Sequence, residues 1–309
     1  MLPLLVGSSL DTLVYPERGY DESFFAQHSA IAPVYPLLVE MMLAEITPPP
    51  QGRSLPVQYS VVDVGCGHGL LVEAWRSAGI SESYGMEGSN AAKHMWPPEF
   101  RQHYYQIQDL TLWQEAAIKM PETDLVTTLE VAEHLPETSA DHFIQLLATH
   151  RPATIVFGAA TPFQDQGLNP GHVNENTFAY WTEKFAHQQY ALDFVATARI
   201  RHKLLMDKRF QPYFISAWWY PKNILVFRDT QKVPTNDDDM DLKLVRHPKE
   251  ANMWSDAYLN IGYAINDGGA FGQLWKRDWM EFATMFYREQ DKARERLLLK
   301  DQTTREKEL

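Results

Sequence analysis

Cysteine occurs once in the 309 residues, at Cys66. A single thiol excludes an internal disulfide framework and has no redox partner, so Cys66 reads as a small buried filler. Positive charge is scarce too: 28 Lys and Arg stand against 40 Asp and Glu, a formal net charge of −12. No Lys/Arg-dense run precedes the C-terminal tail. The basic stripe that a phosphate backbone requires is therefore missing, and nucleic acid is not an expected partner. Neutral or cationic small molecules fit this charge better. No apolar run approaches membrane-spanning length, and no basic segment followed by a long apolar one opens the chain. These absences predict a soluble protein of a reducing, cytoplasmic compartment with no membrane partner.

Aromatic residues make up 12% of the chain, with nine Trp, enough to wall a pocket. The length suits one core with extensions. Four prolines and an amphipathic "YPLLVEMMLAEI" precede the boundary "TPPPQG", which predicts a helical cap over residues 1–50. From "YSVVDVG" to "NILVF", short apolar runs alternate with helix-like stretches, the pattern of βαβ units and a parallel sheet buried on both faces. This core spans 51–230. Within it Ala140, Phe143, Ile144 and Leu147 have the spacing of a one-sided helix, as do Phe178, Trp181 and Phe185. "YALDFVATARI" and "NILVF" read as strands separated by an aromatic, basic insert. Residues 231–309 read as a mainly helical extension that either caps a pocket or makes a homodimer contact, with a charged end that has little to bury.

"DVGCGHG" places Gly65, Gly67 and Gly69 where the first strand turns into a helix. Such a junction sets backbone N–H groups against a polar ligand, and glycine lets the main chain approach closely. The third glycine comes one residue too early for a dinucleotide fingerprint, and Asp63 would repel a pyrophosphate. A cationic ligand suits Asp63 instead. Glu87, at the end of "SYGME", lies about twenty residues past the loop, where a carboxylate accepts from ribose hydroxyls. Asp109 in "IQDL", after the third strand, can take an adenine amino proton. Together the three acids describe an adenosine ligand without phosphate.

"VVDVGCGHG", "YGMEGS", "IQDL" and "DLVTTLEVAEHLP" resemble the successive motifs of class I S-adenosylmethionine-dependent methyltransferases, over residues ~55 to 230. The resemblance implies a Rossmann-like α/β fold with a seven-stranded sheet, its one antiparallel strand supplied by "NILVF". It implies S-adenosylmethionine as cofactor, with Asp63, Gly65, Cys66 and Gly67 at the methionine end, Glu87 on the ribose, Asp109 and Leu110 on the adenine, and Glu130 near the sulfonium. His68 reads as a permissive loop residue.

"LEVAEHLP" then puts Glu130, Glu133 and His134 at the mouth of the sheet, and "GHVNE" offers His172, Asn174 and Glu175 after the fifth strand. The carboxyl ends of adjacent strands share one crevice, so the two clusters are expected to face each other. The pair of motifs is similar to a bacterial and phage-type methyltransferase subgroup, often of unknown substrate. The expected reaction is in-line methyl transfer to a small polar acceptor, a sugar hydroxyl or an amine of a natural-product or glycan intermediate. His134 or His172 takes the proton, with Glu130 and Glu175 in the catalytic set and no metal assigned.

Two alternatives stay open. Glu130, Glu133, His134 and His172 also resemble the ligand set of Mg-dependent small-RNA 2′-O-methyltransferases. The same fold also binds S-adenosylmethionine without methylating, or uses its aminobutyl chain in a cyclisation. Trp218, Trp219 and Tyr220 of the insert, with Tyr20 and Phe24, are candidates for an aromatic lid, and core packing explains such a cluster equally well.

Overall fold

The computed structural model describes residues 20, 22–46, 59–96, 98–106, 110, 120–161, 169–232 and 244–245. Two helices, α1 (Glu22–Ser29) and α2 (Val34–Ile46), precede an alternating run. It comprises β1 (Ser60–Val64), α3 (Leu70–Ser77), β2 (Glu82–Glu87), α4 (Asn90–Met95), β3 (Tyr104–Gln106), β4 (Leu125–Leu129), α5 (Ala140–Leu147) and β5 (Thr154–Gly158). The chain continues through α6 (Phe178–His187), β6 (Tyr190–Asp193), α7 (Phe194–Met206), α8 (Phe214–Ala217), α9 (Trp219–Asn223), β7 (Leu225–Asp229) and β8 (Leu244–Val245).

All eight strands form one sheet in the order β3-β2-β1-β4-β5-β7-β6-β8. The β1–β2, β1–β4, β2–β3 and β4–β5 pairs are parallel, and β7 runs antiparallel between β5 and β6. The first seven strands in this order make the doubly wound, Rossmann-like architecture that the resemblance implies. The eighth is an addition that the expectation of seven lacked. Leu244–Val245 pairs antiparallel with Leu192–Asp193 and covers the outer edge of β6, whose backbone groups would otherwise be an open pairing template.

Alternate residues of each strand feed two cores. Val62, Val126, Ile155 and Phe227 pack against α5 and α6 on one face, with Phe143, Ile144, Leu147, Phe178, Trp181 and Phe185 all buried there as the spacing predicts. Val61, Leu125, Val156 and Val226 pack against α2, α3 and α7 on the other. Burial on both faces is why these strands are nearly continuous apolar runs.

The strand expected over "YALDFVATARI" stops at Asp193, and α7 begins at Phe194. Asp193 causes the switch: its Oδ1 accepts the Ala196 N–H at 3.0 Å as the helix N-cap. Its Oδ2 accepts from the buried Arg228 Nε at 2.9 Å, while the Arg228 Nη1 donates to Thr154 Oγ1 and to the Ile46 carbonyl. That guanidinium fastens the end of α2 to β5, β6 and β7. Of the helix-like stretch "TLWQEAAIKM" that precedes β4 only Met120 is described, and most of 231–309 lies outside the described residues. Among the described residues no helix is long and apolar enough to cross a membrane.

Candidate active site

The strand order reverses at β1, which pairs with β2 on one side and β4 on the other. Open α/β sheets bind ligands at the carboxyl ends of strands flanking such a point. Asp63 lies there, in register with Thr127 of β4, whose hydroxyl donates to Asp63 Oδ1 at 2.7 Å. The carboxyl is 5% exposed. Burial pushes its pKa up to about 7, partly relieved by the Thr127 hydrogen bond and reinforced by the charge of Glu87. A cation beside it would restore its charge.

The glycine loop enters α3 through residues of positive φ at Gly65, Gly67 and Gly69. Gly65 and Cys66 donate their N–H groups to the Met86 carbonyl, stapling the loop to β2. A Cβ on Gly67 would meet the Phe25 ring of α1 at 3.2 Å. Helix α1 thus lies against the loop, and its Ser29 Oγ is 3.2 Å from His68 Nε2. Burial, followed by the nearby His28, lowers the His68 pKa to about 4, so that ring is neutral at pH 7. The Cys66 thiol is buried and held well above its ordinary pKa by burial, then by Glu87 and Asp63, which makes it inert.

Glu87 Oε2 accepts the Gly67 N–H at 2.8 Å, and Oε1 accepts those of Gly88 and Ser89 at 2.7 and 2.8 Å. Three of a carboxylate's roughly four acceptor positions are filled, so this arrangement leaves room for one ligand hydroxyl rather than two. Leu110 packs half-buried against the first core, and Asp109 lies outside the described residues.

The second cluster is assembled by main-chain bonds. The N–H groups of Val173 and Asn174 donate to the Glu133 carbonyl at 2.8 and 3.0 Å, and Asn174 Nδ2 reaches the Ala132 carbonyl. The two motifs therefore face each other, with the His134 and His172 ring centroids 4.8 Å apart. His134 Nδ1 donates to the Gly171 carbonyl at 3.0 Å, and His172 Nδ1 donates to Glu175 Oε1 at 2.9 Å. Because both partners only accept, each neutral ring carries its lone pair on Nε2.

Glu130 sits at φ 59, a strained conformation that turns the chain away from β4. Its N–H donates to the Gly158 carbonyl, and its Oε1 accepts from Asn223 Nδ2 at 2.8 Å. Glu133 is wholly buried and neither carboxyl oxygen makes a hydrogen bond of good geometry. Burial first, and then the neighbouring Glu130, hold its carboxyl well above the usual range.

Of the lid candidates, Tyr220 is buried in the core with its hydroxyl 3.1 Å from that of Tyr35. Tyr20 instead meets the site, its ring edge-on to His134 at 5.3 Å. Its phenol pKa is raised by burial, then by Glu133 and Glu87, so it stays protonated. Its carbonyl accepts from Ser89 Oγ, which joins the Glu87 side of the crevice to the His134 side. Thr127 and Asn223 were not among the expected site residues. Strand register exposes the first once β1 and β4 are neighbours. Asn223 arrives from a distant helix, and no sequence signal marks it.

No protein-family model matches the chain. No curated protein matches it either. Solved structures resemble it. A SAM-dependent methyltransferase from Archaeoglobus fulgidus is 20% identical, covers 51% of this chain and 71% of its own, and gives a TM-score of 0.39. The O-methyltransferase of a trans-AT PKS multienzyme from Brevibacillus brevis, in complex with S-adenosyl-L-homocysteine, is 13% identical over 70% of this chain and 82% of its own, at 0.41. Magnesium protoporphyrin IX methyltransferase from Synechocystis PCC 6803, with bound SAH, is 17% identical over 54% and 74%, at 0.38.

Proposed function

We propose that the chain is an S-adenosylmethionine-dependent methyltransferase acting on a small polar acceptor, a hydroxyl or an amine. One observation carries the reading: a cradle for a cationic, hydroxyl-bearing ligand (Asp63, the glycine loop, Glu87) adjoins two imidazoles of fixed tautomer at the switch point of the sheet. A buried carboxyl poised near pH 7 suits an ammonium group, and the single open acceptor position of Glu87 suits a ribose hydroxyl. Leu110 and Asp109 are the residues for adenine.

When bound, the cofactor supplies an activated methyl group. The chain's own part is to align the acceptor and take its proton. Glu175 holds the Nδ1–H of His172, which directs the Nε2 lone pair to an acceptor proton, and Gly171 does the same for His134. Tyr20 covers this side and limits water.

Calorimetry tests the cofactor: S-adenosylmethionine and S-adenosylhomocysteine are expected to bind at micromolar Kd and NAD not at all. Absence of binding by the first two overturns the reading. Products then separate the reactions. S-adenosylhomocysteine marks methyl transfer, methylthioadenosine marks aminobutyl chemistry, and neither marks a binding protein.

The pKa of Asp63 gives the affinity a pH dependence of known sign. Its folded value lies above the ordinary one, so the free protein loses stability as pH rises from about 4 through 7. A ligand ammonium binds the ionised form. Cofactor affinity is therefore expected to rise about tenfold per pH unit below 7, and to fall again above about 8 as an α-amino group deprotonates. Titrations in two buffers of different ionisation enthalpy should show proton release at pH 6. A flat profile from pH 5.5 to 7.5 would mean that Asp63 is already charged.

A further inference from the structure

One ligand atom each from Glu133, His134 and His172 lies within 4.8 Å of the other two. Glu133 is 0% exposed, and its carboxyl oxygens make no hydrogen bond of good geometry, with only the Ala160 and Glu133 N–H groups and the Glu130 carboxyl as polar neighbours that act on it, a costly state for a polar group. Each imidazole has its Nδ1–H committed to an acceptor, one a main-chain carbonyl and the other the Glu175 carboxylate. That second layer fixes ring orientation and presents Nε2, as it does around metal-ligating histidines. Asn174 and Val173, by donating to the Glu133 carbonyl, hold the loop of His172 against the turn of Glu133 and His134. We infer that Glu133, His134 and His172 form a binding site for one divalent transition-metal ion.

The donor set decides which ion. Two imidazoles and one carboxylate suit Mn, Fe, Co or Zn, whereas Mg and Ca require a shell of oxygens. The four-ligand arrangement for Mg also needs Glu130, but Glu130 lies outside the group of mutually close donors and its Oε1 accepts from Asn223. The site is therefore a three-ligand one with positions left over for water or an acceptor oxygen. Its ligands are separate from the cofactor cradle of Asp63 and Glu87, but two of them are the imidazoles proposed as proton acceptors: with an ion bound, those ring nitrogens of His134 and His172 would be taken up by it and would no longer serve as the base.

The test uses the full chain, freed of metal by chelator and dialysis, and titrated with Mn²⁺ and Co²⁺ alone. Saturation at one equivalent is expected, with pulsed electron paramagnetic resonance of the Mn²⁺ form showing coupling to imidazole nitrogen. Millimolar Mg²⁺ should not displace Mn²⁺. Glu133→Gln and His172→Ala should each weaken binding roughly 100-fold or more, and Glu175→Gln by about 10- to 100-fold through the ring it orients. Asp63→Asn, in the cofactor cradle, should change the affinity less than about threefold, against about tenfold or more for a ligand. The proposal is overturned by absence of saturable binding to the wild-type protein, by binding without nitrogen coupling, by equal competition from Mg²⁺, or by equal loss in Asp63→Asn. The spectroscopic readout needs no variant, so a variant that fails to fold does not blunt the test.

Discussion

Asp63→Asn is expected to lower the affinity for S-adenosylmethionine by about 100-fold or more, roughly 3 kcal/mol, while leaving the ligand-free protein no less stable at pH 8. The substitution keeps the shape and keeps an oxygen to accept from Thr127, so the buried hydroxyl is not left alone. What it removes is the charge. In the free protein that charge is a burden, since burial resists ionisation and puts the pKa at about 7. In the complex it would be the partner of an ammonium group. A residue that costs stability alone and adds affinity with a ligand is the signature of a binding site rather than of a scaffold. The check is calorimetry for Kd and a thermal melt of the same preparation. Unchanged affinity removes the cofactor assignment, and an equal loss of stability and affinity makes Asp63 a structural residue.

The features visible in the sequence were those written in one stretch. The glycine loop and "EVAEH" directly follow a strand, Glu87 ends one, and "GHVNE" comes later in the connection that leaves β5; parallel connectivity delivers strand ends to one side of the sheet. Partners from distant stretches were not visible. Thr127 reaches Asp63 only through strand register, and Asn223 meets Glu130 across 93 residues of sequence. The run after Asp193 shows a second kind of failure. "FVATARI" is apolar and rich in β-branched residues, which favours a strand by composition, yet one capping carboxylate and the packing of Ala196, Ile200 and Leu204 make it a helix. A short apolar run does not settle that choice by periodicity alone. The lid was half legible for a similar reason. Aromatic clustering does not tell a wall from a core, and burial assigned Tyr220 to the core and Tyr20 to the crevice.

The largest structural effect is expected at Gly69. Its φ is 87, and a Cβ there would fall 2.3 to 2.7 Å from atoms of the Trp96 ring. That ring is 2% exposed and packs with Cys66 and Val72, and a Cβ on Gly85 of β2 would also come within 2.6 Å of it. Trp96 is thus a wedge between the glycine loop and β2, with little room to yield. Gly69→Ala should therefore incur two costs: about 1–2 kcal/mol for a side chain in the left-handed region, and roughly 1–3 kcal/mol for overpacking. At 2–4 °C per kcal/mol, the melting temperature falls by about 10 °C. Gly79 separates the two terms, since its φ is 95 but nothing lies within 4 Å of its added Cβ. Gly79→Ala should show the backbone cost alone. Gly69→Ala combined with Trp96→Leu should recover the steric part, giving a favourable coupling of about 1–3 kcal/mol in a double-mutant cycle. If Gly69→Ala and Gly79→Ala melt alike, the wedge yields easily and conformational freedom alone explains the glycine. If Gly69→Ala melts far lower and the double variant recovers, the glycine is required because the loop must lie close to Trp96. The same closeness holds the loop N–H groups in register with Glu87, so cofactor affinity should fall and recover with stability.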